Sequence, residues 1–482
     1  MQKIINIVIF LLLFANMSNL FAGDSGIDSL LKEYKKESAL SKKTKRDSSG
    51  ILYLYTREDL ERMQVKSLKD ILKIVPGINL YRAIDNFSLI STSSNSKSPM
   101  SGLRILINDH DMSSASFGSA FLLWGDLNIE YIDHIEIYKA TSSVEFGNET
   151  APIIVKLYTK RADREEGGKF RVLADQRGSA ISNLYITKTL NDDFSYFVYG
   201  ELKGLKNRTY KKEYKGQTYN FKGDIKDYNF YSNFIYKKWF FELGMIKESM
   251  DSFAGVGLQR TPADNGNDLN AYQQYLHITK KFENGLKLQL SFDNISYRQN
   301  FRDLNGIMLI GLKQPLSYYT VKFNDNIYYI SLEKEIKSRK NRLYLGGFYK
   351  YKSVDAKNLI DFLHAPGTSE SSYSNSLNYS SIYTEDEFKV TERVSFLGQL
   401  KGDFFRLKKD LGSHVKKIYK AGIKYKDKNL FLQFLYTHSY LPVTFFEYYD
   451  SSKFPYSANI GLKTPVLNIY EISSKYRFDD GY

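Results

Sequence analysis

Ile129-Glu-Tyr-Ile-Asp-His-Ile-Glu-Ile-Tyr-Lys139, then Ala140-Thr-Ser-Ser-Val-Glu-Phe-Gly147, then Ile153-Ile-Val-Lys-Leu-Tyr-Thr-Lys160 read as strand, turn and strand. Ile135 and Ile137 alternate with Glu136 and Tyr138, the period of two that a half-buried strand requires. A Ser-rich turn closed by Gly147 follows, and a β-branched run ends in charge at Lys160 and Arg161. Before this unit the chain is mixed and short-segmented; after it the chain is long, aromatic and alternating. That change of character divides the molecule into a small N-terminal globule and a large C-terminal sheet.

On the N-terminal side, Met1 to Ala22 has the layout of a secretory signal: Lys3, an apolar run from Ile4 to Phe14, and a small residue at Ala22. The run is too short to cross a membrane as a helix. Gly23 to Gly50 is polar, with Lys35-Lys36 and Lys42-Lys43-Thr44-Lys45-Arg46, and cannot bury enough apolar surface to fold alone. Ile51 to Tyr55 reads as a strand. Thr56-Arg-Glu-Asp59 and Ser67-Leu-Lys-Asp70 are capping boxes, each setting a hydroxyl and a carboxylate against the first free N–H groups of a helix. Leu68, Ile71, Leu72 and Val75 form the second helix's apolar stripe, and Pro76-Gly77 ends it before a strand from Ile78 to Tyr81. Ser91 to Ser101 reads as a loop, and Leu103-Arg104-Ile-Leu-Ile107 as a strand running into Asn108-Asp109-His110-Asp111. Those last residues allow a metal reading, but a turn held by Asx side chains is the expectation.

On the C-terminal side, from Lys169 onward, runs such as Leu288, Leu290, Phe292 and Tyr328, Ile330, Leu332 alternate with polar residues, with no helical interlude. About fourteen strands are predicted. Short turns alternate with long connections at Gly204 to Asp227, Met250 to Asn270, Phe301 to Leu316 and Val354 to Tyr379. Asp264-Asn-Gly-Asn-Asp268 lacks the later Glu of a calcium loop and reads as a turn. A soluble β-sandwich would share this periodicity. The export signal, the Tyr and Phe at strand ends and the alternation of connections favour a membrane barrel, which must close because lipid satisfies no sheet edge.

The totals fit. The chain has 482 residues, and 39 Tyr with 32 Phe raise the aromatic share to 15%. Mean hydropathy is −0.41, against a bundle of membrane helices but compatible with alternating strands. Cysteine is absent, which excludes thiol catalysis, thiolate metal sites and disulfides. The net charge of +14 is dispersed, as solvated loop lysines would be, so nucleic acid is not an expected partner. The six histidines, His110, His134, His277, His364, His414 and His438, show no zincin spacing, and no nucleophile elbow occurs. No catalytic residue, metal or cofactor is expected, and the chain is not read as an enzyme.

The opening stretch also resembles the close of the plug domain in TonB-dependent outer-membrane receptors. Glu136, Gly147, Thr159 and Lys160 fall on that family's pattern, as do Pro76-Gly77, the strand carrying Arg104, and Asp109. Ala140-Thr141 replaces the family's Gly-Pro turn, and His110 stands where Gly is usual. Tyr440 to Tyr449, with Pro442 and Glu447, and Asn459, Leu462, Lys463, Tyr470 and Glu471 are similar to two barrel motifs of the same receptors. The resemblance implies a signal peptide over 1–22, a flexible periplasmic segment over 23–50, a plug over 51–165 and a barrel over 166–482. The fold class is then mainly β: a transmembrane antiparallel barrel with a small α+β plug in its lumen. A plugged transporter barrel wants about 22 strands, so the resemblance implies either a C-terminally truncated member, which is the expectation, or a smaller barrel that closes differently. It also implies import of a scarce solute, a ferric siderophore or similar metal chelate, driven by TonB with ExbB and ExbD. The setting would be the lipid and lipopolysaccharide of a Gram-negative outer membrane. The usual TonB box is not found; Ser25 to Leu31 is its weak candidate. No His lies between Tyr449 and Asn459, against a haem ligand. The second reading is a non-transporting surface protein or receptor remnant.

Overall fold

The computed structural model describes residues 51–82, 88–92, 102–139, 149–206, 210–214, 216–251, 268–307, 314–364, 367–408, 413–442, 444–445, 464–476 and 478. The expected signal, the 23–50 segment, Gly147, most of the Asp264–Asp268 stretch, Glu447, Asn459, Leu462 and Lys463 lie outside them.

The N-terminal globule is built as its caps and stripes dictate. β1 (Ile51–Tyr55) leads into α1 (Arg57–Arg62), where the Asp59 amide donates to Thr56 Oγ1 and the Asp59 carboxylate accepts from the Thr56 amide. α2 (Leu68–Leu72) repeats the device: the Asp70 carboxylate accepts from the Ser67 amide at 3.1 Å. Leu68, Ile71, Leu72 and Val75 are all buried, each contributing about 1.5–3 kcal/mol of apolar burial. Gly77 stops the segment at φ +79°, a conformation a Cβ would oppose. β2 (Ile78–Arg82) and β3 (Ser88–Thr92) pair as a ribbon, so Ser91 belongs to a strand and not to the predicted loop. β4 (Leu103–Ile107), the short β5 (His110–Asp111), β6 (Ile132–Lys139) and β7 (Ile153–Thr159) join β1 in a sheet ordered β1-β6-β7-β4-β5, with α3 (Phe121–Trp124) beside it.

The wall is one antiparallel sheet of fourteen strands. Its low strands are β8 (Gly167–Ala174), β9 (Ala180–Asn191), β10 (Phe194–Leu205), β13 (Ile225–Tyr236), β14 (Trp239–Asp251) and β15 (Asp268–Lys281). Then come β16 (Leu286–Ile307), β17 (Leu316–Lys337), β18 (Asn341–Phe362) and β19 (Ser369–Lys389). β20 (Val394–Leu407), β21 (Ser413–Lys426), β22 (Leu430–Tyr440) and β23 (Val466–Tyr476) follow. A separate hairpin, β11 (Tyr210–Tyr214) and β12 (Gln217–Phe221), stands in the first long connection. Neighbours in the sheet are neighbours in sequence apart from that hairpin, as the run of turns predicts. Among the described residues β8 and β23 are its outer strands.

Two predicted loops are corrected. β16 runs on to Ile307, and β18 and β19 occupy most of Val354 to Tyr379. The outward residues there, Ser353, Asp355 and Lys357, stand opposite Ser376, Ser374 and Ser372 and are polar, so the stretch lacks the apolar alternation that marks a lipid-facing strand.

The wall is inside-out. Facing outward are Leu243, Met245, Leu276, Leu290, Tyr328, Ile330, Leu332, Leu345 and Tyr349, all exposed. Facing inward, and buried, are Asn233, Glu242, Gln273, His277, Asp293, Asp325, Glu333, Lys350 and Lys401. A soluble sandwich buries the opposite set; this arrangement suits a sheet with hydrocarbon outside and polar material within. The material within is the globule, whose buried side chains share one cluster with wall residues Tyr199, Tyr231, Tyr275, Tyr297 and Phe323.

Candidate functional site: the seam between globule and wall

The seam is held by polar groups from end to end. At its middle, the tight β4–β5 turn sets Asn108 at φ +52° and aims its amide at Glu242 and at Tyr231 Oη, 3.3 Å away. His110 points outward from β5, its Nε2 2.9 Å from Asp293 Oδ1, and stacks on Tyr275 and on His277 with ring centroids 4.7 and 5.1 Å apart. His277 meets Glu242 at 2.8 Å. Trp124 Nε1 donates to Gln273 Oε1 at 2.7 Å, and the Gln273 amide donates to Asp293 at 3.1 Å. Ser116 is tied to Asp325 through its amide at 2.8 Å. Burial alone would lower the His110 imidazole; Asp293 outweighs it and raises the pKa above its ordinary value.

Towards the end carrying the long connections, Arg104 is 1% exposed and bonds Asp111 at 3.1 Å and Glu149 at 2.7 Å. The wall answers with Lys350, 3.2 Å from Asp111 and 3.1 Å from Glu149, and with Lys352 on Glu149. Burial raises both carboxyls, but the three cations overcome it: Asp111 is lowered to about 2 and Glu149 is held well below the carboxylate range. Beside this cluster lies a small cavity of about 50 Å³ whose walls include Glu149, Lys352, Tyr379, Phe405, Tyr440 and Pro442. Tyr379 and Phe405 pack at 4.6 Å, with Tyr440 edge-on to Phe405 at 5.6 Å. Rings above a charged floor suit a solute that is part aromatic and part charged.

At the short-turn end, Asp109 accepts from Lys156 and Lys287, both at 2.9 Å. Burial would raise Asp109, but these lysines hold it well below the carboxylate range. The metal reading of Asp109, His110 and Asp111 is therefore set aside: each turns to a different partner, and no grouping of metal-ligating side chains occurs among the described residues. Thr159 Oγ1 meets Tyr231 Oη at 2.9 Å, and Asn233 donates to the Lys160 carbonyl at 3.0 Å. Lys160 Nζ lies over the Tyr185 ring at 4.7 Å; burial, with Arg57 and Lys169 near, lowers its pKa.

Of the motif residues, Arg104 and Pro442 thus come to the outer end and Asp109 and Thr159 to the inner. Glu136 is fully buried within the globule, accepting from Tyr138 Oη at 2.8 Å. Pro76 is exposed, its carbonyl accepting from Lys139 at 2.7 Å. Tyr470 faces outward and Glu471 inward on β23. Sequence reading missed Glu149, His277, Asp293, Lys350 and Lys352. Lys350 and Lys352 did carry a signal, since they alternate with Tyr349 and Tyr351, placing charge on the face opposite the rings.

A β-wall with an apolar exterior and a lumen filled by a hydrogen-bonded globule defines a plugged β-barrel. Residues 44–151 match the TonB-dependent Receptor Plug Domain, and the fold as a whole is that of a plug plus a β-barrel. The fold is similar to that of a ferric enterobactin receptor (PfeA) mutant from Pseudomonas aeruginosa, at TM-score 0.66 and 13% identity, over 92% of this chain and 70% of that one. It is also similar to the ferric yersiniabactin uptake receptor FyuA of Yersinia pestis, at 0.68 and 11%, over 90% and 70%. The outer-membrane ferripyoverdine receptor of Pseudomonas aeruginosa matches at 0.67 and 14%, over 90% and 62%. All three are named as receptors. The sequence matches no protein of curated function.

Proposed function

We propose that the chain is a ligand-gated importer of the Gram-negative outer membrane that takes a ferric chelate, energised through TonB with ExbB and ExbD. On this reading 1–22 is the export signal, 23–50 the periplasmic segment that TonB engages, 51–165 the plug and 166–482 the pore wall in lipid and lipopolysaccharide. The observation that carries it is the chemistry of the seam. Plug and wall meet through hydrogen bonds and ion pairs as well as through their shared aromatic and aliphatic cluster. Each such bond nets about 0.5–1.5 kcal/mol, or about 1.5–3 kcal/mol where one partner is charged, because water replaces it. Where polar groups hold the plug, it can shift under a pull while water takes over the broken bonds. The aromatic and charged outer end would receive the chelate; three structurally similar proteins carry names of ferric-chelate receptors. The test is uptake of radiolabelled iron chelates by cells expressing this chain, with and without TonB. TonB-dependent uptake supports import; equal uptake in the two strains rejects it.

A further inference from the structure

The inner end of the seam contains a cavity of about 750 Å³ between plug and wall, far larger than the outer one. The turns at Lys237–Lys238 and Phe282–Gly285 help line it, so it opens on the short-turn side. At its heart stand Lys156, Arg161, Lys281 and Lys287 against two carboxylates, Asp109 and Glu333. The other charged groups of the lining cancel, two lysines against two glutamates. Pairing within the cluster is lopsided. Lys156 and Lys287 share the single carboxylate of Asp109 at 2.9 Å each, and Lys287 also reaches Glu333 at 3.3 Å. Arg161 leans away to Asp163, at 2.9 Å. Lys281 is left with no ion pair among the described residues; Asp109 attracts it from a distance, while Lys287, Arg161 and Lys156 repel it.

Unmatched positive charge in a partly enclosed space with low-dielectric walls concentrates field and recruits a counter-ion. The geometry points to an inner oxyanion site: Lys281, with Lys156 and Lys287, binds the carboxylate or phosphate oxygens of a small polyanion at the periplasmic mouth. The volume admits a molecule the size of a tricarboxylate. The site is separate from the aromatic outer end, and its binding stands whether or not the chain imports anything.

The test is calorimetric titration of the purified full chain with citrate and with inorganic phosphate in detergent, and again in discs of phosphatidylglycerol or phosphatidylcholine. Lys281→Gln weakens citrate binding about tenfold, the loss of one partly screened charge at close range, and Lys281→Arg restores it. Tyr440→Ala at the outer end leaves citrate binding unchanged. Heat-modifiability on gels verifies that each variant is folded. If citrate binds only when phosphatidylglycerol is absent, and Lys281→Gln abolishes that competition, the site also accepts a lipid headgroup, which supports the same chemistry. No binding of either anion, wild-type affinity in Lys281→Gln, or loss of binding in Tyr440→Ala overturns the assignment. Failed TonB-dependent uptake with intact, Lys281-dependent binding would reject the importer and leave this site standing.

Discussion

Glu149→Gln is the sharpest perturbation of the seam. The carboxylate is 3% exposed and takes bonds from Arg104 at 2.7 Å, Lys350 at 3.1 Å and Lys352. Replacing it by an amide of the same shape leaves three cations facing Asp111 alone. Removing one partner from a buried ion pair costs about 3–5 kcal/mol, and the lower end applies because a buried lysine can release its proton. Urea unfolding of a domain of the plug's size has a slope near 1 kcal/mol/M, so the midpoint of plug release falls by about 3 M. The chain has two tryptophans, and Trp124 is buried in the seam at 1% exposure. A Trp239→Phe background therefore makes Trp124 emission a direct report of plug release. The control is Glu149→Gln with Lys352→Met, which returns the cluster to its native net charge and recovers more than half of the loss. A midpoint within about 0.5 M of the parent, or a double variant with strictly additive loss, would show that the cluster does not hold the plug.

Acid should loosen the same contact. Asp111 titrates at about 2 when folded and near 3.8 when free, so it gives about 2 kcal/mol above pH 4 that disappears as pH falls towards 2. The raised His110 works the other way. Its contribution is complete below about pH 6.5 and is lost as pH rises through the folded value, so Trp124-monitored release becomes easier in mild alkali, and His110→Asn flattens that limb. Ile330→Arg puts a charge on the lipid-facing belt and costs about 2–4 kcal/mol near mid-membrane; the heat-modifiable folded band on gels should fade, whereas Ser331→Asn on the lumen side spares it. Gly244 lies opposite Tyr275 in the ladder, and a Cβ there would come within 2.1 Å of the ring. Gly244→Ala should displace Tyr275 from His110 and cost about 1–3 kcal/mol, read as a lower urea midpoint.

Sequence reading reached the elements whose causes are local. Both capping boxes, the Leu68–Val75 stripe, the Gly77 stop and the fourteen wall strands depend on residues a few positions apart. It failed where the environment, and not the neighbouring residue, decides. Ser353, Asp355 and Lys357 look like loop because alternation is visible only when the outward side is greasy. The seam escaped for another reason: Lys350 meets Glu149 across 201 residues of chain, and no spacing rule spans that distance. Arg104 and Asp109 were singled out by resemblance, yet the resemblance did not show that one serves the outer end and the other the inner.

The unequal strands have a geometric consequence. β16, β17 and β18 have 22 residues and β19 has 21, whereas β20 and β21 have 14 and β22 has 11. At about 3.3 Å per residue and a tilt near 40°, the long ones climb some 55 Å and the short ones some 28–35 Å. The mouth is therefore cut obliquely, like the reed of a whistle, with a parapet on one flank and a low sill on the other. Tyr379, Phe405 and Tyr440 are set on β19, β20 and β22, on and beside that sill. Among the described residues, the taller strands stand beside those rings.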